Sequence, residues 1–576
     1  MRRHPITVLK FGSSVLRKEE DLAHAVHEIY RWVRQGQRVV AVVSAIGSST
    51  NQLLAQSQAY GDRINEHAVA ALVSTGEAQS SALLALALDR AGVPASIFDE
   101  SRLGLRAEGS VLDSEPISLD ADAIFRSLEK HAVAVVPGFV GRQNDGSICL
   151  LGRGGSDLTA VFVAQQLGAE RCRLIKDVDG VFESDPALGK YPRRYRFIHF
   201  AEARKIAGRL VQAKAIDYAA HHHLPIEVAT LGSTSPTTIN DSAPVFYTDR
   251  TDLPQVRVGL LGAGTVGLGV YRRLSEIPDY FDVVKVAVRN VVRHRDIPRE
   301  LLTDDPWQVV ESDCDLVIEL IGGLSPAAEL IEAALRSGKH VITANKLVIA
   351  HKGQELRRIA AEKGVALLYS AAVGGAVPML EEVSRLALDA PIHRVQGVIN
   401  GTTNFVLDRI AEGFDPDEAL REAQRLGFAE QDPSSDLDGR DAAHKLSLLA
   451  HTAFGTWIEP GEIERTGIES IDVEFIRDAT ASGRVVRLVG EVERYADGIR
   501  ARVAPAAIDA GDALANTRNE ENCLVVHSAF GELLQVHGKG AGRWPTTEAV
   551  IGDIFELHRS GKLLPAPVSS AERRIS

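Results

Sequence analysis

The stretch Val258-Gly259-Leu260-Leu261-Gly262-Ala263-Gly264-Thr265-Val266-Gly267 decides the fold of the second half of this chain. Its first four residues predict a short buried strand, and the G-x-G-x-x-G turn after them opens an amphipathic stretch that runs to Leu274. A glycine-rich turn between a strand and a helix lets backbone N–H groups approach a pyrophosphate, so this pattern predicts a dinucleotide-binding domain. About 250 residues precede it, which is room for at least one further domain.

That first half contains a second glycine-rich turn, Gly152-Arg153-Gly154-Gly155-Ser156-Asp157. Short β-branched runs alternate here with helical stretches, which predicts an α/β domain with a largely parallel sheet. The predicted strands are residues 6–11, 39–44, 132–137, 173–175 and 225–229, and a polar segment at 232–254 is expected to separate the two halves. Neither glycine turn fits G-x-x-x-x-G-K-[ST], so a P-loop enzyme is excluded. The chain is therefore interpreted as two enzymes in tandem.

The composition describes a globular protein with negative charge. Of 576 residues, 45% are hydrophobic and 24% charged, and the net charge is −13. Nucleic acids and anionic membranes bind clustered Lys and Arg, so neither is expected as a partner. The start of the chain lacks the apolar segment of a signal peptide, and no uninterrupted apolar run is long enough to span a membrane. We expect a cytoplasmic enzyme.

Cysteine and histidine are the remaining candidates for metal or redox chemistry. Cys149, Cys172, Cys314 and Cys523 lie far apart and predict reduced, mostly buried thiols. The run His221-His222-His223 leads into a predicted strand, and we interpret it as a solvated helix end rather than a metal site.

The end of the second strand of the dinucleotide domain bears on the choice of cofactor. An NAD site commonly has Asp or Glu there for the ribose hydroxyls, whereas an arginine can accommodate the 2′-phosphate of NADP. The predicted strand at 283–288 ends in Arg289-Asn290, with Arg293 and Arg295 close behind. This pattern favours NADP and leaves NAD open, and Arg289 as a plain surface residue is the alternative interpretation.

Two lysines and one carboxylate are the candidates for proton transfer. Lys346 closes Thr343-Ala344-Asn345-Lys346, after a predicted strand, so it should point into the ligand crevice. Asp441 and Lys445 share one helix face, for which Asp436 or Asp438 is the expected N-cap. A buried lysine beside a carboxylate can donate a proton to a carbonyl. The alternative is a surface ion pair worth only about 0.3–0.5 kcal/mol.

Residues 256–560 resemble homoserine dehydrogenase along almost their full length. The segments that carry the resemblance are GAGTVG (262–267), IELIGG (318–323), TANK (343–346), YSAAVGGAVP (369–378), NGTTN (400–404), GFAEQDP (427–433), DLDGRDAAHK (436–445) and GKGAGRWPT (538–546). The resemblance implies that NADPH reduces L-aspartate 4-semialdehyde to L-homoserine, with Lys445 as acid and base and Lys346 as a second active-site lysine. Glu430 and Asp441 would bind the amino acid. The implied cofactor residues are Gly262, Gly264, Thr265, Val266, Gly267, Arg289, Gly322, Thr343, Lys346 and Gly427.

One departure concerns a monovalent cation. Where the family commonly has tyrosine-glutamate-alanine, this chain has Tyr369-Ser370-Ala371, so the glutamate of a cation site built mainly from main-chain carbonyls is missing. The carbonyls of Ser370, Val373, Gly375 and Val377 could still bind sodium.

The first half carries residues suited to phosphoryl transfer. Such chemistry needs cations and N–H groups around the phosphoryl group and a clamp for the acceptor. Lys10 and the turn at 152–155 could supply the first, and Arg153 and Glu77 could clamp a carboxylate and an ammonium group. That turn could equally be an ordinary tight loop.

Residues 5–245 resemble aspartate kinase, of the amino-acid kinase fold, through Lys10-Phe11-Gly12, Ser74-Thr75-Gly76-Glu77, the second glycine turn and Asp177-Val178-Asp179-Gly180. The resemblance implies that ATP, with magnesium, phosphorylates L-aspartate to 4-phospho-L-aspartate. Lys10 and Asp157 would serve phosphoryl transfer. Thr50, Glu77, Arg153 and Ser156 would hold aspartate.

The nucleotide side of this half departs from the family. The threonine before Asp177 is Lys176, the arginine expected after Pro186 is Ala187, and a nucleotide-side lysine is replaced by Leu210 unless Lys214 substitutes for it. A dehydrogenase with a catalytically inactive kinase-like scaffold is therefore the alternative function.

The predicted domain order is α/β throughout: an amino-acid kinase domain (1–245), a linker (246–255), a Rossmann domain (256–390), an α+β catalytic and dimerisation domain that returns to the Rossmann domain (391–560), and a tail (561–576). The linker is too short for an ACT regulatory domain of roughly 60–80 residues. We therefore expect no inhibition through an ACT site. The resemblance also implies a homo-oligomer.

Overall fold

The computed structural model describes residues 4–61, 64–185, 192–208, 210–247, 255–278, 280–293, 296–540 and 542–560. Most of the predicted linker, the predicted tail, Ala187 and Arg295 lie outside these residues. The chain divides into two compact units, an amino-terminal unit (1–251) and a carboxy-terminal unit (252–576).

The amino-terminal unit is built on a nine-stranded sheet with helices packed against it. Six of the eight neighbouring strand pairs are parallel, so the sheet is largely parallel as predicted, because β-branched runs such as Val39 to Val43 are fully buried and alternate with helices. The unit's strands are β1 (Ile6–Phe11), β2 (Arg38–Val43), β3 (Ala95–Ile97), β4 (Arg106–Ser110), β5 (Asp113–Ser118), β6 (Val133–Pro137), β7 (Val140–Arg142), β8 (Ile148–Leu150), β9 (Arg171–Ile175), β10 (Tyr195–His199), β11 (Ile226–Ala229), β12 (Thr237–Asn240) and β13 (Val245–Phe246).

The strand order of this sheet is β13-β10-β12-β11-β9-β1-β2-β6-β3, and β5-β4-β7-β8 form a second, smaller sheet. The helices are α1 (Leu22–Arg34), α2 (Ser49–Gln58), α3 (Glu66–Ala91), α4 (Glu100–Leu103), α5 (Ala121–Lys130), α6 (Gly155–Leu167), α7 (Phe200–Ile206) and α8 (Ala213–His221). The separating segment predicted at 232–254 is partly wrong. Its residues 237–246 contain β12 and β13, because the buried Thr237 and Ile239 pair with β11 and β10.

The carboxy-terminal unit begins with a six-stranded parallel sheet. Its strands are β14 (Val256–Leu261), β15 (Phe281–Ala287), β16 (Leu302–Thr303), β17 (Leu316–Glu319), β18 (His340–Thr343) and β19 (Leu367–Leu368), in the order β16-β15-β14-β17-β18-β19. The order reverses between β14 and β17, which is the Rossmann arrangement and opens a ligand crevice at the carboxyl ends of these strands. The flanking helices are α9 (Thr265–Ser275), α10 (Trp307–Glu311), α11 (Ala327–Arg336) and α12 (Lys346–Lys363).

The rest of this unit is a mixed α+β structure. Strands β20 (Arg394–Val398), β21 (Glu464–Arg465), β22 (Arg484–Tyr495), β23 (Gly498–Asp509), β24 (Glu521–Ser528) and β25 (Gly531–Lys539) form a sheet ordered β21-β23-β22-β20-β24-β25. Its helices are α13 (Met379–Asp389), α14 (Gly401–Ala411), α15 (Pro416–Leu426), α16 (Ser434–Leu437), α17 (Arg440–Phe454), α18 (Val473–Ala481) and α19 (Arg543–Arg559). Helix α19 returns to the Rossmann sheet, where Val550 and Ile554 are buried beside Val256 and Val270.

The thiol and histidine predictions are confirmed. All four cysteines are free and buried. His221 ends α8, and all three histidines of the run are exposed. Within the described ranges no group of His, Cys, Asp and Glu residues is arranged to hold a metal ion. Helix α3 is long and apolar enough to span a membrane by composition alone, but half of its most apolar window is buried inside the protein.

His451 on α17 makes the stability of the carboxy-terminal unit depend on pH. Its ring stacks on Trp457 at 4.1 Å, and burial, followed by the nearby Arg357 guanidinium, lowers its pKa to about 4. The folded protein thus favours the neutral His451 ring. The free energy of unfolding that this preference contributes is complete above the unfolded pKa of about 6.5 and is lost as pH falls toward 4. We expect the urea midpoint of the wild type to fall as pH is lowered from 6.5 to 4.5, and to fall less steeply with pH in His451→Gln. An equal pH dependence of the two proteins would contradict this assignment.

Candidate active sites

The glycine turn after β14 has the backbone that a dinucleotide requires. Gly262 has φ +101°, and Gly264 caps α9, whose first turn is open to solvent. A Cβ at Gly267 would lie 2.0 Å from the Gly262 carbonyl oxygen, whereas a Cβ at Gly264 would meet nothing within 4 Å. The first and third glycines therefore close the turn, and the second leaves room at a helix N-terminus for a pyrophosphate.

These two glycines form a matched pair for mutation. Gly264→Ala should leave the urea midpoint unchanged but weaken NADPH binding at least about tenfold, because the new methyl group occupies the room for the pyrophosphate. Gly267→Ala should destabilise the carboxy-terminal unit by about 1–3 kcal/mol through collision with backbone. NADPH fluorescence titration and urea unfolding measure the two effects. Equal behaviour of the two variants would argue against this description of the turn.

A buried carboxylate shapes the neighbouring loops. Glu319, fully buried at the end of β17, accepts hydrogen bonds from the Ile321 and Gly322 N–H groups at 2.9 and 3.1 Å and from the Thr343 hydroxyl at 2.5 Å. Asn345 donates to the Gly323 carbonyl at 2.7 Å. The loops that carry Gly322 and Lys346 are thereby held together at the crevice, a role for Glu319 that sequence reasoning missed. The hydroxyl of Thr343 is used in this network, and its predicted contact with cofactor stays a prediction.

Two cationic side chains follow the end of β15. Arg289 and Arg293 are exposed beyond the last strand residue, Ala287. Their position is compatible with a 2′-phosphate, and the preference for NADP stays a prediction.

The predicted catalytic residues meet in one cluster. Asp441 lies between two lysines: its Oδ1 is 2.9 Å from Lys346 Nζ and its Oδ2 is 2.8 Å from Lys445 Nζ. Lys445 also donates to the Ile399 carbonyl at 2.6 Å. Both Asp441 and Lys445 are buried, whereas the Lys346 side chain is 39% exposed. The interpretation of Asp441 and Lys445 as a surface ion pair is therefore wrong.

The charges of this cluster stabilise one another. Burial alone raises the pKa of Asp441, but the ammonium groups of Lys445 and Lys346 outweigh it and hold that pKa far below its usual range. The Asp441 carboxylate in turn raises the pKa of Lys346, with smaller contributions from Asp436 and Glu430. The cluster is an ionised carboxylate that holds two ammonium groups at the carboxyl edge of the Rossmann sheet.

Asn400 completes the cluster and was not assigned a role from the sequence. Its Nδ2 donates to Asp441 Oδ2 at 2.9 Å and to Asp436 Oδ1 at 2.7 Å, while its Oδ1 caps α14. The predicted N-cap of α17 is wrong: Gly439 occupies that position with φ +81°. Asp436 is unavailable because it lies in the short helix α16 and bonds Asn400. The sequence signal for the Asn400 cap of α14 was an asparagine that follows a buried strand and precedes Gly-Thr-Thr.

The remaining predicted ligands lie on the open side. Glu430 and Gly427 are exposed in the loop between α15 and α16. The Ser370 carbonyl accepts the backbone N–H of Val373, and the Val377 carbonyl accepts that of Met379. The cation site, with Val373 and Gly375 as further carbonyl donors, stays a prediction.

A second Lys–Asp–Lys cluster lies in the amino-terminal unit. Asp157, in the first turn of α6, is 2.8 Å from Lys10 Nζ through Oδ1 and 2.9 Å from Lys176 Nζ through Oδ2. All three side chains are buried. Burial alone raises the pKa of Asp157, but Lys10 and Lys176 outweigh it and hold that pKa well below its usual range. The resemblance assigned Lys10 and Asp157 to phosphoryl transfer without predicting that they pair, and Lys176 was treated only as a departure.

The predicted acceptor residues lie on three elements: the glycine turn carries Arg153 and Ser156, α2 carries Thr50 and α3 carries Glu77. The Ser44 hydroxyl donates to that of Ser156 at 2.8 Å. Glu77 is buried; its Oε1 accepts the Ala45 N–H at 3.3 Å, and its Oε2 has no hydrogen-bond partner among the described residues. Burial raises the pKa of Glu77 to about 7. Such an unsatisfied acceptor suits a ligand ammonium group, whereas Arg153 is exposed and Thr50 is partly buried in α2.

Three segments of the chain match known families. Residues 5–229 match the amino acid kinase family, residues 262–370 the NAD-binding domain of homoserine dehydrogenase, and residues 378–555 homoserine dehydrogenase. This order confirms the fold class and the two resemblances expected from the sequence.

Characterised relatives cover the carboxy-terminal unit. The homoserine dehydrogenase of Corynebacterium glutamicum is 36% identical over 55% of this chain and 75% of its own length. That of Synechocystis is 38% identical over 52% and 73%. A crystal structure of a homoserine dehydrogenase from Thiobacillus denitrificans is 36% identical, has a TM-score of 0.51, and covers 56% of this chain and 76% of that one.

Proposed function

This chain belongs to the homoserine dehydrogenase family, and we propose that its carboxy-terminal unit reduces L-aspartate 4-semialdehyde to L-homoserine with Lys445 as the proton donor. The observation that carries this proposal is the Lys346–Asp441–Lys445 cluster, in which Lys346 follows β18 of a Rossmann sheet whose β14 ends at the G-x-G-x-x-G turn. Bound NADPH, or NADH, would supply the hydride.

Lys445 is suited to acid–base chemistry because it is fixed and charged. Its ammonium group is held between Asp441 and the Ile399 carbonyl, so one N–H remains for the aldehyde oxygen of the substrate. As hydride reaches the carbonyl carbon, that oxygen takes a proton from Lys445 and becomes the hydroxyl of homoserine. In the reverse direction the neutral amine accepts the same proton.

The open side of the cluster would bind the charged ends of the amino acid. The half-exposed Lys346 ammonium can attract an anionic group of substrate or cofactor, and the exposed Glu430 carboxylate can attract the substrate ammonium. Asp441 positions both lysines, since Lys346, Lys445 and Asn400 already occupy its oxygens.

For the amino-terminal unit we propose aspartate kinase activity. Lys10 lies over the loop that follows β1, since a Cβ at Gly12 would be 2.8 Å from its Nζ, and the same Nζ is 2.8 Å from Asp157 Oδ1 at the end of the glycine-rich turn. The ammonium group of Lys10 can thus bind the γ-phosphoryl group of ATP, and Glu77 can bind the ammonium group of L-aspartate. Transfer breaks the bond between that phosphorus and ADP and forms a bond to the side-chain carboxylate oxygen, which yields 4-phospho-L-aspartate.

Two assays on one preparation test both activities. Homoserine should be oxidised with NADP as the absorbance of NADPH rises. Incubation with ATP, magnesium, L-aspartate and hydroxylamine should give aspartyl hydroxamate, and Lys10→Ala should abolish it. Dehydrogenase activity without hydroxamate would select the alternative, a kinase-derived scaffold.

We also propose that the chain acts in the cytoplasm as a homo-oligomer, as implied by the resemblance to a family of dimers and larger assemblies. Sedimentation velocity tests this, and a monomer at assay concentrations would contradict it.

A further inference from the structure

The cluster around Asp157 contains one more positive charge than negative charge. Two buried ammonium groups, Lys10 and Lys176, face a single buried carboxylate, and Lys176 Nζ lies 3.1 and 2.9 Å from its two oxygens. The nearby Asp177 is exposed. A buried charge is costly unless it is paired, so this arrangement favours an anionic ligand that supplies the missing negative charge.

The sheet brings both lysines to the same edge. Lys10 lies near the end of β1. Lys176 directly follows β9, which is a parallel neighbour of β1, and Phe11 of β1 pairs with Ile175 of β9. The backbone N–H of Lys176 is fixed by the Ala229 carbonyl at 2.9 Å. Asp157 lies in the first turn of α6, directly after the glycine turn. Both ammonium groups therefore lie at the phosphoryl end of the proposed kinase site.

The lysine that the family carries on the nucleotide side is missing from its usual position. Leu210 stands there and packs against the hydrophobic core. Lys214, the possible substitute, pairs with Asp113 at 2.6 Å and Glu115 at 2.8 Å rather than with Asp157, and its role stays a prediction.

We propose that Lys176 is a catalytic residue of the amino-terminal unit, where it binds the transferring phosphoryl group of the nucleotide together with Lys10. The inference rests on the proposed kinase function. As the bond to ADP breaks and the bond to the aspartate carboxylate forms, negative charge on the phosphoryl oxygens faces two fixed cations. Neither lysine transfers a proton.

The protonation of Lys176 is compatible with this role. Burial lowers its pKa to about 8, although the Asp157 carboxylate opposes that shift. The side chain is therefore mostly charged at neutral pH, and a bound phosphate would favour the charged form further.

Three full-length variants test the assignment: Lys176→Met, which removes the charge, Lys176→Arg, which keeps it, and Lys130→Met as the control, since Lys130 is exposed at the end of α5. In the hydroxamate assay we expect Lys176→Met to lower kcat about a hundredfold with an unchanged KM for aspartate. Lys176→Arg should retain activity within about tenfold, and Lys130→Met should resemble the wild type. Homoserine oxidation, measured on each preparation, should be equal in all and shows that the carboxy-terminal unit is folded. A cooperative urea-unfolding curve of each variant shows that the amino-terminal unit is folded as well.

Calorimetric titration with a non-hydrolysable ATP analogue and magnesium gives a readout independent of turnover. Lys176→Met should weaken that binding at least tenfold, and Lys130→Met should not. An active wild type with an equally active Lys176→Met would overturn the proposal. If the wild type makes no hydroxamate, the kinase function fails by itself. In that case the calorimetric data still test Lys176. Equal affinity of the wild type and Lys176→Met for the ATP analogue, or no binding of it by either protein, overturns the proposed role.

Discussion

Lys445→Met is expected to lower the turnover of homoserine oxidation at least about a hundredfold, the usual contribution of a positioned general acid. Methionine keeps the unbranched stem of lysine but has no proton to exchange with the substrate oxygen. The affinity for NADPH should stay within about twofold, because the groups that touch Lys445 are Asp441 and the Ile399 carbonyl rather than the glycine turn. Steady-state rates with NADP and a fluorescence titration with NADPH measure the two quantities.

Lys352→Met is the matched control for this experiment. Lys352 lies on α12, like Lys346, but its side chain is 52% exposed and pairs only with Glu355. Its loss should leave turnover unchanged. If Lys445→Met turns over at the rate of the control while it still binds NADPH, Lys445 is not the proton donor.

Asp441→Asn is expected to destabilise the carboxy-terminal unit by about 3 kcal/mol, the range measured when one partner of a buried ion pair is removed. The amide cannot neutralise two ammonium groups, and Lys445 would remain buried with only a carbonyl oxygen and an amide beside it. Turnover should fall as well, since both lysines lose the group that positions them. Urea unfolding of the full chain measures the stability.

Two comparisons show whether the loss comes from buried charge. Asp497→Asn removes an exposed pair with Arg500 and should change stability little. Lys346→Met removes the more exposed lysine of the cluster and should cost less than Asp441→Asn. Equal stability of Asp441→Asn and Asp497→Asn would mean that the cluster is solvated rather than buried.

The two Lys–Asp–Lys clusters differ from ordinary surface ion pairs. In each, one buried carboxylate holds two lysines, at 2.9 and 2.8 Å in the dehydrogenase unit and at 2.8 and 2.9 Å in the kinase unit. A carboxylate of this kind stays ionised near neutral pH, and in the two proposed reactions it would fix cations for a substrate that develops negative charge on oxygen.

Local patterns were sufficient for most of the fold. Strand β1 was predicted with the bounds observed, and the helix that carries Asp441 and Lys445 follows from apolar residues at helical spacing. The glycine turn after β14 was read correctly because a G-x-G-x-x-G sequence imposes its own backbone conformation and close approach, whatever the rest of the chain does. The prediction of a separating segment at 232–254 was partly wrong because its polar composition gives no sign of β12 and β13. These two strands form by pairing with β10.

The sequence by itself determined the families, the order of the domains, and the pairing of Asp441 with Lys445, which one helical turn separates. Only the tertiary structure decided that Lys346 shares the same carboxylate, that Asn400 bridges it to Asp436, and that Lys176 rather than Lys214 faces Asp157. The physical reason is that side-chain identity and helical spacing act over a few residues. Which buried charges meet depends instead on strand register and on packing between distant segments.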